Sequence, residues 1–146
     1  MNWKKINEQP LSKEKKSRES VIVEVNHSDK NEHPSYRGST RIHSSLSRIA
    51  FALIDINSKK RWVNRLSEHH LIEGDLHGME FSTYEHYNLA WPVSDRDYVL
   101  AAKWTIDHTA EDLWAQLEIS SINHKNYPLR EDRIRGDLQK LVFSLN

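Results

Sequence analysis

The chain has 146 residues, no cysteine, and 21 Lys plus Arg against 21 Asp plus Glu, for a formal net charge of zero. That length argues for one domain with a real core. The absence of cysteine excludes disulfides, thiol nucleophiles and Cys-ligated metals, and the charge balance gives no electrostatic basis for a nucleic-acid partner. The N-terminus lacks a signal-peptide core, and no apolar run approaches the roughly 18 residues of a membrane span. The expectation is a soluble, cytoplasmic protein.

Residues 1–19 are polar and contain Lys13-Glu14-Lys15-Lys16. They read as a leader, with Trp3 and Ile6 able to pin a short helix. Val21, Val23 and Val25 alternate with Ile22 and Glu24, the period of a strand. Residues 36–43 alternate again, so the two segments predict a hairpin. The period then changes. Leu46, Ile49, Ala50 and Leu53 are spaced i, i+3, i+4, i+7, which puts one helical stripe on the core. Ser44 or Ser45 can cap that helix. Residues 55–58 break it, and residues 59–66 read as a second short helix with Trp62 and Leu66 inward.

Strands follow at residues 70–75, 79–87, 98–107, 113–122 and 138–145. Met79, Phe81, Thr83, Glu85 and Tyr87 share one face of their strand. Tyr98, Leu100, Ala102, Trp104 and Ile106 share one face of the next. Residues 123–135 form a polar loop containing Pro128. Strands joined by short turns predict an antiparallel sheet, with the two helices closing one end of it.

Between the two central strands stands Trp91-Pro92-Val93-Ser94-Asp95-Arg96-Asp97. Pro92 fixes its own φ and pushes Trp91 towards extended backbone. Ser94 and Asp95 suit a turn. The Arg96 fork offers five donors to Asp95 and Asp97. The reading is a loop held in one shape by its own side chains, with Trp62 and Trp91 packed.

Four blocks in order resemble the START domain, the steroidogenic-acute-regulatory-protein-related lipid transfer domain. They are the helix from Ser45 to Asp55, then Lys60-Arg61-Trp62, then Trp91 to Val99 against the family pattern Pro-x-Ser-x-Arg-Asp-aromatic-Val, and last Ser120-Ser121 with Pro128 and Arg133 or Arg135. The resemblance covers residues 20–146. It implies an α+β helix-grip fold, a curved antiparallel sheet with two short helices after strand 2. Val63 departs from the Asp that many members carry after the helix tryptophan. The family's last strand and C-terminal helix have no counterpart here, so a START-like domain shortened at its C-terminus is expected, with an inner sheet face left to a partner or a second copy.

The resemblance implies a cavity for one lipid or other hydrophobic small molecule, and permits transient membrane contact. The residues expected in its wall are Phe81, Thr83, Glu85, Tyr87, Tyr98, Leu100, Ala102 and Trp104. Aligned with steroid-carrying members, Glu85 falls on their cavity glutamate and Ala102 where their partner arginine stands. The expectation is therefore a buried acid without its cation, serving as a polar anchor. Arg96 and Asp97, with Trp91 and Pro92, are read as structural. Residues 123–133 match the family's loop at the cavity mouth and suggest a gate. The alternatives are a cyclase or hydrolase using Glu85, His86 or Tyr98 for acid–base work, or a shortened non-binding form that oligomerises. No cofactor is expected, and no metal. His69-His70 and His77 lack HExxH spacing, neighbours on a strand face opposite ways, and no Ser-His-Asp arrangement is evident.

Overall fold

A computed structural model describes residues 3–10, 20–27, 33–107 and 113–146. They belong to two units, Met1–Ser44 and Ser45–Asn146.

The first unit is a three-stranded antiparallel sheet, β1 (Lys4–Pro10), β2 (Ser20–Asn26) and β3 (Ser35–Ser39), in that spatial order. The expected hairpin pairing is present, with Val23 opposite Gly38 and Val25 opposite Tyr36. The expected leader helix is not. Residues 4–10 form a strand instead, because β2 offers them an edge of alternating valines. The rest of the leader lies outside the described residues. Cross-strand polar pairs hold this unit. Arg37 donates to Glu24 at 2.8 Å and lies 4.5 Å from the centre of the Trp3 ring, while Ser20 donates to Glu8 at 2.7 Å.

The second unit opens with two helices, which thus follow a third strand and not a second. Helix α1 (Leu46–Ile54) starts at the Ser45 cap, whose hydroxyl accepts the Arg48 amide. It ends at Asp55, and the same residue caps α2 (Ile56–Trp62) by accepting the Ser58 amide at 2.7 Å. One residue therefore separates the helices where a four-residue break was expected. Helix α2 also stops earlier than its apolar spacing suggested. Val63 is extended, and Leu66 opens β4 (Leu66–Gly74) in place of ending a helix.

The remaining strands are β5 (Glu80–Tyr87), β6 (Arg96–Asp107), β7 (Trp114–Ser121), β8 (Ile134–Arg135) and β9 (Leu141–Leu145). The sheet runs β4-β5-β6-β7-β9, all antiparallel, with β8 pairing parallel to the start of β6. Ser67 and Ile72 are unpaired extra residues in β4, where the register shifts against β5; such bulges bend and twist a strand. Among the described residues no helix is long and apolar enough to cross a membrane.

The sheet has two distinct faces. On the inner face, Ile54 of α1 packs with Phe81, Leu100, Ala102, Trp104, Ala115, Leu117 and Ile119, and Ala50 and Leu53 support it. On the outer face lie Tyr84, Asp97 and Val99. The connection from β7 to β8 covers them. Tyr127 stacks on Tyr84 with ring centres 5.2 Å apart, and its hydroxyl is 2.8 Å from His70 Nε2.

Asp97 organises this layer. Arg135 grips it side-on, Nε to Oδ1 at 2.7 Å and Nη2 to Oδ2 at 3.1 Å, and also donates to the carbonyls of Tyr127 and Pro128. Tyr84 donates to Asp97 at 3.1 Å and accepts from Arg133. Arg96 is not the partner of Asp97, contrary to the sequence reading. Successive strand residues face opposite ways, so Asp97 and Arg96 cannot share a face. Burial raises the Asp97 carboxyl, but the Arg135 and Tyr84 bonds and the nearby arginine charges outweigh it and hold the group below its ordinary value.

Removing one partner of a buried pair leaves a charge without compensation. Arg135→Ala is therefore expected to cost about 3–5 kcal/mol in urea unfolding, with Arg130→Ala, whose pair with Asp132 is exposed, leaving the midpoint unchanged.

Candidate functional site

A cavity of about 440 Å³ opens on the inner face of the second unit. Its apolar walls are Leu100, Ile119, Leu141 and Phe143 from the sheet, Leu138 just before β9, Trp62 and Val63 at the end of α2, and Leu89 after β5. Its polar residues are Lys59, Glu85, Tyr87, Arg96 and Tyr98. The register explains the convergence: Glu85 lies opposite Tyr98 and Thr83 opposite Leu100, so one face of two strands lines one space.

Of the wall residues expected from sequence, Glu85, Tyr87, Tyr98 and Leu100 border this cavity. Phe81, Thr83 and Ala102 border a second gap of only about 10 Å³ with Leu53, Ile54 and Leu117, so α1 has filled the space they face. Trp104 is packed in the core. The inner face is thus half core and half cavity, divided where α1 gives way to α2.

Glu85 is 2% exposed, yet it is not alone. Lys59 of α2 forms an ion pair with Oε1, and Tyr87 donates to Oε2 at 2.6 Å. The expected loss of its cation is corrected: a lysine from the helix stands where an arginine from the strand was missing. Burial, reinforced by the Glu85 carboxylate, pushes the Tyr87 phenol far above its ordinary value, which keeps it a donor. Its ring meets Tyr98 edge-on at 5.7 Å. Tyr98 in turn lies over Gly136, where an added Cβ would sit 2.2 Å from the ring. Only glycine allows that approach.

His69 is buried behind the pair, its Nε2 3.7 Å from Glu85 Oε1 and its Nδ1 without a hydrogen-bond partner among the described residues. Burial lowers its pKa, from 6.5 to about 4, and the Lys59 ammonium adds to this while Glu85 opposes it. His69 is therefore neutral at pH 7.

Other expected residues are placed elsewhere. His86 lies on the outer face, Nε2 2.9 Å from Asp95 and Nδ1 3.0 Å from the Ser67 hydroxyl. It therefore stands apart from the cavity, whereas Glu85 and Tyr98, the other two residues offered for acid–base work, both border it. A Ser67–His86–Asp95 chain does exist, unforeseen, but outside the cavity. Residues 123–133 do not form a gate there, since Tyr127 and Arg133 bind Tyr84 on the opposite face. Trp91 is not packed: it is 91% exposed. Trp62 is half-exposed, anchored by its indole N–H on the Ala52 carbonyl. Arg96 borders the cavity and, among the described residues, donates only to the Ser94 and Asp95 carbonyls. Asp95 accepts the Leu89 amide and so shapes the loop without Arg96. Among the described residues no group of three His, Asp or Glu side chains is placed to hold a metal ion.

Lys59, Leu138, Leu141 and Phe143 were missed as wall residues. Alternation of Leu141 and Phe143 was a usable signal, whereas Lys59 had none beyond its place in a helix facing the sheet.

No family model and no curated protein matches the sequence. Solved structures do match. The STAR-related lipid transfer protein from Xanthomonas axonopodis aligns at TM-score 0.70 over 97% of this chain and 79% of its own, at 18% identity. The fold is START-like. Human STARD10 aligns at TM-score 0.73 and 17% identity, over 97% of this chain but 53% of its own. The lipid transfer and protein localization domain of human StarD13 aligns at 0.74 and 13%, over 99% and 69%. The START-like backbone accounts for the α+β class and the two helices set between runs of strands.

Glu85→Leu is expected to cost about 3–5 kcal/mol by stranding Lys59, and adding Lys59→Met to recover most of it, because breaking a buried pair costs more than replacing it. Urea unfolding of both singles and the double checks this. A second expectation concerns acid. Unfolded His69 takes up its proton near pH 6.5 and folded His69 only near 4. Its contribution is complete above pH 6.5 and is lost as pH falls towards 4. Wild type should lose about 3 kcal/mol across that window relative to His69→Gln.

Proposed function

We propose that the second unit binds one hydrophobic small molecule, of the lipid class, in the inner-face cavity. The observation that carries this is the cavity itself: about 440 Å³ of mostly apolar wall with a small convergent set of polar groups. That volume falls within the roughly 300–1,000 Å³ of small-molecule sites, and the lining follows their usual chemistry. The START-like neighbours are lipid transfer proteins by name, which supports the same class. The ion pair of Lys59 with Glu85, capped by Tyr87, is the polar floor on which a ligand's hydroxyl or carbonyl would register.

The reading is binding without chemistry, supported by Glu85 having both carboxylate oxygens already engaged by Lys59 and Tyr87; Tyr98 shares the cavity, while His86 stands on the outer face. Leu138→Trp, in the cavity wall, is expected to weaken binding of a neutral solvatochromic probe such as Nile red at least tenfold while leaving the unfolding midpoint in place. Saturable one-to-one probe binding by wild type, lost in the variant, supports the reading. Equal probe binding by both, or none by wild type, refutes it.

A further inference from the structure

The charged groups around the cavity do not cancel. Glu85 is paired with Lys59 and accepts the Tyr87 hydroxyl, so both its oxygens are engaged. Asp97 is held by Arg135 on the other face, and Asp95 by the Leu89 amide and His86. Arg96 remains. Its Nη1 donates to the Ser94 carbonyl at 2.5 Å and the Asp95 carbonyl at 3.3 Å. Its Nε and Nη2 have no partner among the described residues. Of the three charged residues bordering the cavity, two neutralise each other and the third leaves a net positive charge.

The unoccupied edge is the informative one. In this same chain Arg135 takes the Asp97 carboxylate through that edge, Nε to one oxygen and Nη2 to the other. A side-on guanidinium matches two oxyanion oxygens in geometry as well as charge. The two bonds from Nη1 to backbone carbonyls hold the fork and leave its second edge to a ligand, on a residue that borders the cavity. Arg96 lies opposite Tyr87 in the register, one inward-facing pair from Glu85 and Tyr98, or about 7 Å along the strands. The apolar residues Leu100, Ile119, Leu141 and Phe143 line the cavity beyond.

We infer that the ligand is an anionic amphiphile: a single apolar body with a carboxylate head, the head held by Arg96 at the loop end and the body against Leu100 and Phe143. This inference rests on the reading of the cavity as a hydrophobic-ligand site and adds the head-group chemistry.

The test is calorimetric titration of the whole chain with decanoate, decanol and decylammonium, with Arg96→Gln and Arg96→Lys alongside. Wild type should bind decanoate about tenfold tighter than decanol, and decylammonium least. Arg96→Gln should level decanoate with decanol, and Arg96→Lys should keep part of the preference. Equal binding of all three by wild type overturns the head-group assignment while leaving the hydrophobic site intact. Preference for decylammonium, or a decanoate preference that survives Arg96→Gln, also overturns it. Binding of none of the three removes both readings. If Arg96→Gln melts, the wild-type series decides alone.

Discussion

A buried ion pair between Lys59 and Glu85 fixes the relation of α2 to the middle of the sheet. Neither charge is tolerable alone at that depth. With Lys59 held at Glu85, α2 is kept over the Glu85 end of β5, and Trp62 at its end becomes part of the cavity lining. With α1 packed by Ile54 over Phe81 and Ala102, the inner face is closed at one end and hollow at the other. The single residue Asp55 makes this possible, because it ends one helix and caps the next without a connecting loop. The hollow is thus a consequence of where two short helices meet the sheet.

The outer face solves a different problem. Strand β7 ends at Ser121 opposite Leu100, so the first residues of β6 would present an open edge and a buried carboxylate. The short parallel strand β8 fills that edge, and Arg135 on it supplies the counter-charge to Asp97. Tyr127 and Arg133 complete the cover over Tyr84. The loop between β5 and β6 is held between the two faces: Asp95 binds on the outer side, while Arg96 turns to the inner one.

Much of the architecture was legible because it rests on period. The alternation in residues 79–87 and 98–107 set which side chains share a face, and the register confirms that those faces adjoin. The helical spacing of Leu46, Ile49, Ala50 and Leu53 placed α1 on the core side. What was not legible depended on partners far apart in sequence. Nothing local marks Lys59 as the cation for Glu85, 26 residues on, or Arg135 as the cation for Asp97, when Arg96 stands beside it. Leu66 continues a helical spacing, but pairing with Tyr87 draws it into β4. Trp91 illustrates the reverse case: a tryptophan beside a proline suggests packing, and the turn points it to water. The division of the inner face into core and cavity also escaped sequence, since it depends on how far α1 reaches and not on the strands themselves.

The central claim is that the hollow half of the inner face is a ligand site. Native mass spectrometry of freshly purified chain, followed by denaturation and organic extraction, tests it most directly. The account predicts one hydrophobic small molecule per chain, released on denaturation. A chain that is empty under native conditions, and stays empty after incubation with extracted cellular lipid, would contradict it.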